Sequence, residues 1–237
     1  QVKTCRRCDQ WKPPRAHHCR TCSNCILRMD HHCHWVNNCI GPYNQKHFIL
    51  FLFYTGVGAG ILAIVTILPG FLFFWTCTQR ELGIAMVNWH RTLLGAFGAL
   101  QGVFFAHFCY EFLSDQVESM QDNQTTIESL KDVFGEPIGF DECAKLIFGK
   151  EISVLWLTPL VDPDNDIHLI EYLYSHRDRR MRNFLEYDES YKKNYLKKQE
   201  AFMKPSIANM IVVVLFGAFF VYRFFIFQSG PQVTIEQ

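Results

Sequence analysis

Charge is missing from long stretches of this chain, and that absence sets its class. From Phe48 to Trp75 there are 28 residues without Asp, Glu, Lys or Arg, and another 19 lie between Arg91 and Glu111. A water-soluble core rarely needs such runs, so they argue against a simple soluble domain. Neither sign of charge is in excess, since 23 Lys and Arg balance 23 Asp and Glu, but that even average conceals strong segregation along the chain. With aromatics at 15% and 22 Phe, the composition excludes a disordered chain. There is no whole-unit repeat, no low-complexity linker and no secretory signal, and Gln1 is not a translation start, so the chain is readable as a fragment. Cysteine is scarce after residue 39: seven of the ten (Cys5, Cys8, Cys19, Cys22, Cys25, Cys33 and Cys39) come before it, with five of the ten histidines.

The apolar runs read as membrane spans. Phe48 to Trp75 is ample for a helix crossing about 30 Å of hydrocarbon. The run between Arg91 and Glu111, interrupted mainly by Gln101 and His107, reads as a second. The short link from Thr76 to His90 makes the two a helical hairpin, which leaves both outer flanks in one compartment. Residues 1–46 hold eight basic and two acidic groups against only Arg80 and the boundary Arg91 in the link, so the positive-inside bias puts the head in the cytosol. A third apolar run, Ile207 to Phe227, reads as a further span, with Arg223 leaving room for an interfacial helix. Residues 114–170 are acidic, twelve Asp and Glu against three Lys, and are broken by Gly and Pro. Residues 166–204 read as a charged, solvated helix.

Clustered cysteines with two residues between them (Cys5 and Cys8, Cys19 and Cys22, Cys22 and Cys25), in a reducing cytosol, point to zinc rather than disulfides, because thiolates on a turn converge on one tetrahedral ion. Two Cys3His sites would use six cysteines and two histidines, and one cysteine of the seven would remain. Spacing leaves two readings of Cys33. It directly follows Asp30, His31 and His32, which suits a thiol activated by an imidazole that a carboxylate orients. Equally, Cys33 could complete a zinc site, with Asp30 orienting a ligating histidine.

Residues 5–48, CRRCDQWKPPRAHHCRTCSNCILRMDHHCHWVNNCIGPYNQKHF, resemble the cysteine-rich domain of the DHHC family of protein S-acyltransferases (palmitoyltransferases), with the signature standing as Asp30, His31, His32 and Cys33. Thr125-Thr126-Ile127-Glu128 resembles the family's TTxE motif, and IFG followed by WLTP between Ile147 and Pro159 extends the likeness. The resemblance implies two interleaved structural zinc sites, Cys5, Cys8, His18 and Cys25 in one, Cys19, Cys22, His32 and Cys39 in the other. It leaves Cys33 as the acyl-carrying nucleophile, His31 as its base and Asp30 as the orienting partner. Trp35, Phe48 and Phe51 would line the upper acyl cavity, and Lys12, Arg15 and His17 would meet the phosphates of acyl-CoA. Thr125, Thr126 and Glu128 would pack near the active site and organise it; Thr125 and Glu128 also fit a helix capping box.

The expected fold is therefore a membrane protein, mainly an α-helical transmembrane bundle, with a cytosolic cysteine-rich two-zinc domain of short strands and loops. Residues 1–47 form that domain, 48–113 a two-span hairpin, 114–204 a cytosolic C-terminal region, and 205–237 a third apolar segment and tail. The expected activity is transfer of a long acyl chain from acyl-CoA, palmitoyl-CoA above all, to Cys33 and then to a juxtamembrane cysteine of a substrate protein at the cytosolic face of Golgi or endoplasmic reticulum. The competing reading is a zinc-braced membrane adaptor without turnover. Nucleic acid is not an expected partner, because the basic head runs directly into a span and lacks finger-like helix spacing. The sequence departs from the family pattern at His34, where Pro is usual, at Cys143, where Asn is expected, and in having no spans before the cysteine-rich domain. Asn123-Gln124-Thr125 is a nominal glycosylation sequon that a cytosolic position would leave unmodified.

Overall fold

The computed structural model describes residues 4–9, 12, 15–76, 89–131, 139–149, 153–159, 197–198 and 201. The expected third span at 207–227, most of the link between the first two spans and nearly all of the 166–204 helix lie outside the described residues. The chain divides into two compact units, one of residues Gln1–Leu50 with Ser114–Ile207, the other of Phe51–Leu113 with Ala208–Gln237.

In the first unit the head is built from two small antiparallel hairpins. Strand β1, Ala16–Cys19, pairs with β2, Asn24–Leu27, and β3, His31–Cys33, pairs with β4, Asn38–Ile40. Both have the same register logic: His18 lies opposite Cys25, and His32 opposite Cys39. Ser23 and Asn37, one in each connecting turn, have positive φ (51° and 48°), which closes a short loop over a twisted pair. Among the described residues the apolar core under the hairpins is slight, made of Ala16, Ile26, Leu27, Met29 and Ile40 together with the cysteines themselves. So small a core cannot by itself hold strands of three and four residues.

Asn44 ties the head to the first long helix. Its side chain accepts from the Gly41 backbone N–H and donates to the Cys39 carbonyl, while its own carbonyl accepts from the Phe48 N–H. Helix α1, Gln45–Thr76, follows at once. Helix α2, Trp89–Gln121, runs ten residues past Glu111, where the uncharged run ends. Charge does not stop a helix whose buried face continues, and Gln116, Ser119 and Met120 keep that face at helical spacing. It ends at Asn123, whose φ of 47° is left-handed, with the Gln124 N–H reaching back to the Ser119 carbonyl in a Schellman turn. Beyond it come the short helices α3, Thr126–Ser129, and α4, Phe140–Phe148, and a 3₁₀ turn at Val154–Leu157. Lys46 and His47 hold that turn by donating to the carbonyls of Leu155 and Pro159, and Trp156 stacks on Phe148 at 5.3 Å.

In the second unit, α1 and α2 lie antiparallel. Both contain stretches long and apolar enough to cross a membrane, within Gln45–Leu68 and Leu93–Gln121. Small residues set their approach: a Cβ on Gly102 would come within 2.8 Å of the Ala59 carbonyl and 2.9 Å of the Ala63 nitrogen, and one on Gly56 within 3.1 Å of the Cys109 Cβ. In lipid, where apolar burial gives little drive, such backbone proximity is what joins helices. Gly102→Leu is therefore expected to destabilise the pair by about 1–3 kcal/mol, lowering the melting temperature of the detergent-solubilised protein. Gly58→Leu, whose Cβ would meet nothing within 4 Å, should leave it unchanged, and equal melting of the two variants would refute the contact.

Candidate active site and metal centres

Successive side chains of a strand point to opposite faces, so neighbours in β1 and β3 go to different places. His18 joins Cys5, Cys8 and Cys25, while Cys19 joins Cys22, His32 and Cys39. In the first group Nδ1 of His18 is 3.6 Å from Cys5 Sγ and 3.9 Å from Cys25 Sγ, and Cys8 and Cys25 are 3.6 Å apart. In the second, Nδ1 of His32 is 3.7, 3.4 and 3.6 Å from Cys19, Cys22 and Cys39, and the sulfurs of Cys22 and Cys39 are 3.5 Å apart. These are the edges of a tetrahedron: ligands at zinc bond lengths stand roughly 3.5–3.8 Å from one another. They are far too long for disulfides. Each group could hold one metal ion, and the donor chemistry, three thiolates and an imidazole, suits zinc. With an ion in each group the interleaving would staple one hairpin to the other and supply the cross-bracing that the slight core lacks.

The alternation that sends His32 to a metal group sends His31 and Cys33 to the other face. There His31 Nδ1 donates to Asp30 Oδ2 at 2.9 Å, which leaves Nε2 as the nitrogen free to serve the thiol. Cys33 is buried and belongs to neither four-ligand group. Burial alone would lower the His31 pKa, but the hydrogen bonds to Asp30 and Cys33, with their charges, outweigh it and raise it to about 9. Burial would likewise raise the Cys33 thiol; the bond from His31 and the backbone amides of Val36 and Trp35 bring it below the ordinary value instead. Phe48 sets the edge of its ring against His31 with centroids 5.1 Å apart.

Asp30 is only 2% exposed, and an ionised carboxylate in such a place needs full hydrogen bonding. It has it. The Thr126 backbone N–H donates to Oδ1 at 2.8 Å and Gln116 Nε2 donates to Oδ2 at 2.9 Å, beside His31. Burial pushes its pKa up, but these partners, His31 foremost, hold it at about 2. Thr126 can donate because it opens α3, and the first N–H groups of a helix have no partner within it. The capping box expected from Thr125 and Glu128 is present: Thr125 Oγ1 accepts from the Glu128 N–H, and Glu128 Oε2 accepts from the Thr125 N–H. Thr125 Oγ1 also donates to the Met29 carbonyl, next to Asp30.

Two arginines brace this arrangement. Arg15 forks onto Glu128, Nε to Oε1 and Nη2 to Oε2, both at 2.6 Å, with side chains 10% and 0% exposed. Burial would raise the Glu128 pKa, and the Arg15 bonds and charge lower it. Arg15 also donates to the Asn123 carbonyl and side-chain oxygen. Arg28, wholly buried, donates to Asn123 Oδ1 and Gln45 Oε1. The Asn123 side chain is thus enclosed, 1% exposed and receiving from both arginines on Oδ1.

Of the remaining expected contacts, Lys12 and Arg15 lie near enough to His17 for their charges to act on it. Trp35 is 66% exposed, and Phe51, half-buried, begins the second unit. Lys12 is half-exposed. His17, depressed to about 4 by burial and by the charge of Lys131, accepts at Nδ1 from Lys131 Nζ at 3.0 Å. Arg15 has its guanidinium committed to Glu128 and Asn123. Sequence reasoning missed Arg28, Gln45, Gln116 and Lys131. Polar glutamines beside apolar runs were the available signal for Gln45 and Gln116, whereas nothing local distinguishes Arg28.

A family model described as DHHC palmitoyltransferase matches residues 1–133. Among curated relatives, a probable protein S-acyltransferase 13 of Arabidopsis thaliana is 38% identical over 168 residues, covering 69% of this chain and 54% of the relative. Palmitoyltransferase ZDHHC3-A of Danio rerio is 36% identical, covering 68% of this chain and 51% of the relative, and palmitoyltransferase ZDHHC20 of Mus musculus is 35% identical, covering 67% and 46%. The chain spans about half the length of the curated relatives it matches.

Two outcomes are expected. Elemental analysis of the purified protein should find two zinc ions per chain, still two in Cys33→Ser, and one or fewer in Cys39→Ala; loss of zinc in Cys33→Ser would make that sulfur a ligand. Glu128→Ala leaves Arg15 buried without its carboxylate, which should cost about 3–5 kcal/mol and show as a clear fall in melting temperature, against an unchanged melt if the pair contributes nothing.

Proposed function

Because this chain belongs to the DHHC palmitoyltransferase family, we propose that it is a membrane-embedded protein S-acyltransferase that carries the acyl chain on Cys33. The observation that carries this reading is the Asp30–His31 bond of 2.9 Å beside a cysteine that is in neither metal group. In the first step His31 Nε2 takes the Cys33 proton and the thiolate attacks the thioester carbonyl of acyl-CoA. The carbon–sulfur bond to CoA breaks, and CoA leaves with the proton from His31. In the second step the thiol of a substrate cysteine gives its proton to His31 and attacks the acyl-Cys33 carbonyl, and Cys33 departs and is reprotonated. Asp30 holds the imidazole in the tautomer with Nδ1 protonated and stabilises it when charged. Each step exchanges one thioester for another, so acyl-CoA is the sole energy source required.

Zinc, held by Cys5, Cys8, His18 and Cys25 and by Cys19, Cys22, His32 and Cys39, would supply bracing and no chemistry at Cys33. The nucleophile precedes the start of the first apolar run by fifteen residues, which supports an active site at the cytosolic interface of a membrane, with Golgi or endoplasmic reticulum as the proposed locations and juxtamembrane cysteines as the proposed acceptors. A long acyl chain gains about 0.8 kcal/mol per methylene removed from water, and Trp35, Phe48 and Phe51 are its proposed neighbours; the contact of Phe48 with His31 supports the placement of that ring. Lys12 and the His17–Lys131 pair are proposed to meet the phosphates of CoA, with Arg15 contributing charge rather than direct contact.

Purified protein given radiolabelled palmitoyl-CoA should acquire label on Cys33 as a hydroxylamine-sensitive thioester. Label should be absent from Cys33→Ser with zinc retained. An unlabelled wild-type protein of full zinc content would favour the adaptor reading instead.

A further inference from the structure

The polar side chains of α1 and α2 nearest Asp30 are joined in a single line. Arg28 Nη1 donates to Gln45 Oε1 at 3.3 Å, Gln45 Nε2 donates to Gln116 Oε1 at 3.2 Å, and Gln116 Nε2 donates to Asp30 Oδ2 at 2.9 Å. Gln45 stands in the first turn of α1 and Gln116 near the end of α2, and each is only 3% exposed. A buried amide costs free energy unless both its ends are paired, and here each carbonyl and each NH2 has its partner. The line has a direction. It begins on a buried cation and ends on a buried carboxylate, so each amide dipole polarises the next and only one orientation of each glutamine satisfies the whole.

We propose that Gln116, oriented by Gln45, is a positioning residue for acyl transfer, fixing Asp30 Oδ2 so that the carboxylate holds the His31 ring toward Cys33. The proposal rests on the Cys33 acylation reading and adds residues that neither the Asp-His-His-Cys signature nor the TTxE motif contains. The geometry favours it over a purely structural role because Gln116 meets the same oxygen that accepts from His31, whereas Thr126 holds the other oxygen. Without Gln116 the carboxylate keeps its Oδ1 anchor but can pivot about it, and the imidazole turns with it. A group misplaced by a fraction of an ångström is enough to slow a positioned reaction. Gln45 acts one step further back, through the orientation of the Gln116 amide.

The test uses the purified full chain with Gln116→Met and Gln45→Met, swaps that keep an unbranched side chain of similar length while deleting the amide. Rates of Cys33 acylation are measured over a range of palmitoyl-CoA concentrations, with zinc content and melting temperature recorded for each variant. Gln116→Met should lower the limiting acylation rate about 10- to 100-fold, with the half-saturating donor concentration and two zinc ions per chain retained. Gln45→Met should lower it less, and the double variant should be no slower than Gln116→Met, because both amides act through one bond to Asp30. A wild-type limiting rate in Gln116→Met, or losses that multiply in the double variant, would overturn the proposal. If Gln116→Met loses zinc, Gln45→Met decides, and an unchanged rate there overturns it equally. Failure of the wild-type chain to acylate Cys33 would instead strike the reading on which the proposal rests.

Discussion

The pleat of one three-residue strand is the constraint on which the site depends. In β3, His32 points to the cysteines of the second metal group, and His31 and Cys33 therefore point together to the other side. A shift of a single residue in the pairing of β3 with β4 would exchange these faces, presenting His31 and Cys33 to the metal group and His32 to Asp30. An ion in the second group would oppose that shift, because His32 and Cys39 lie directly opposite each other across the ladder and belong to the same four-ligand set. Metal in that group would thus fix a register, and with it the orientation of a thiol that belongs to neither four-ligand set.

Around that face, charge is buried in balanced form. Asp30 and Glu128 are carboxylates almost without solvent, and Arg15 and Arg28 are the cations that answer them. Arg15 meets Glu128 directly, while Arg28 is linked to Asp30 through two glutamines. Asp30 itself accepts from an imidazole and two neutral amides, His31 and Gln116 on Oδ2 and the Thr126 N–H on Oδ1, while the charge of Arg28 acts on Glu128. Asn123 receives from both arginines, which flank the β1–β2 hairpin, so the end of α2 belongs to the same arrangement as that hairpin.

Much of the local chemistry was legible in the sequence because it depends on spacing. Cysteines separated by two residues suit a metal-binding turn, and Thr125 with Glu128 three residues later suits a capping box, which is present. The apolar runs similarly announce α1 and α2, although the end of α2 was not where the charges begin, since a buried face at 116, 119 and 120 carries the helix on to Asn123. Contacts made over long separations were not legible. Arg28 and Asn123 stand 95 residues apart, as do Thr126 and Asp30 at a similar remove, and no pattern in either segment points to the other.

By itself, then, the sequence determined the apolar runs and the cysteine clustering through residue type and short-range spacing, and it pointed, through its likeness to the family, to the two four-ligand sets and the candidate group of Asp30, His31 and Cys33. Only the tertiary structure decided how Asp30 is held: by an amide at the start of α3, by a glutamine from α2 and, behind it, a glutamine from α1 and a buried arginine. The reason is physical. Hydrogen bonds act over about 3 Å in space whatever the distance along the chain, and only the folded backbone turns sequence separation into proximity.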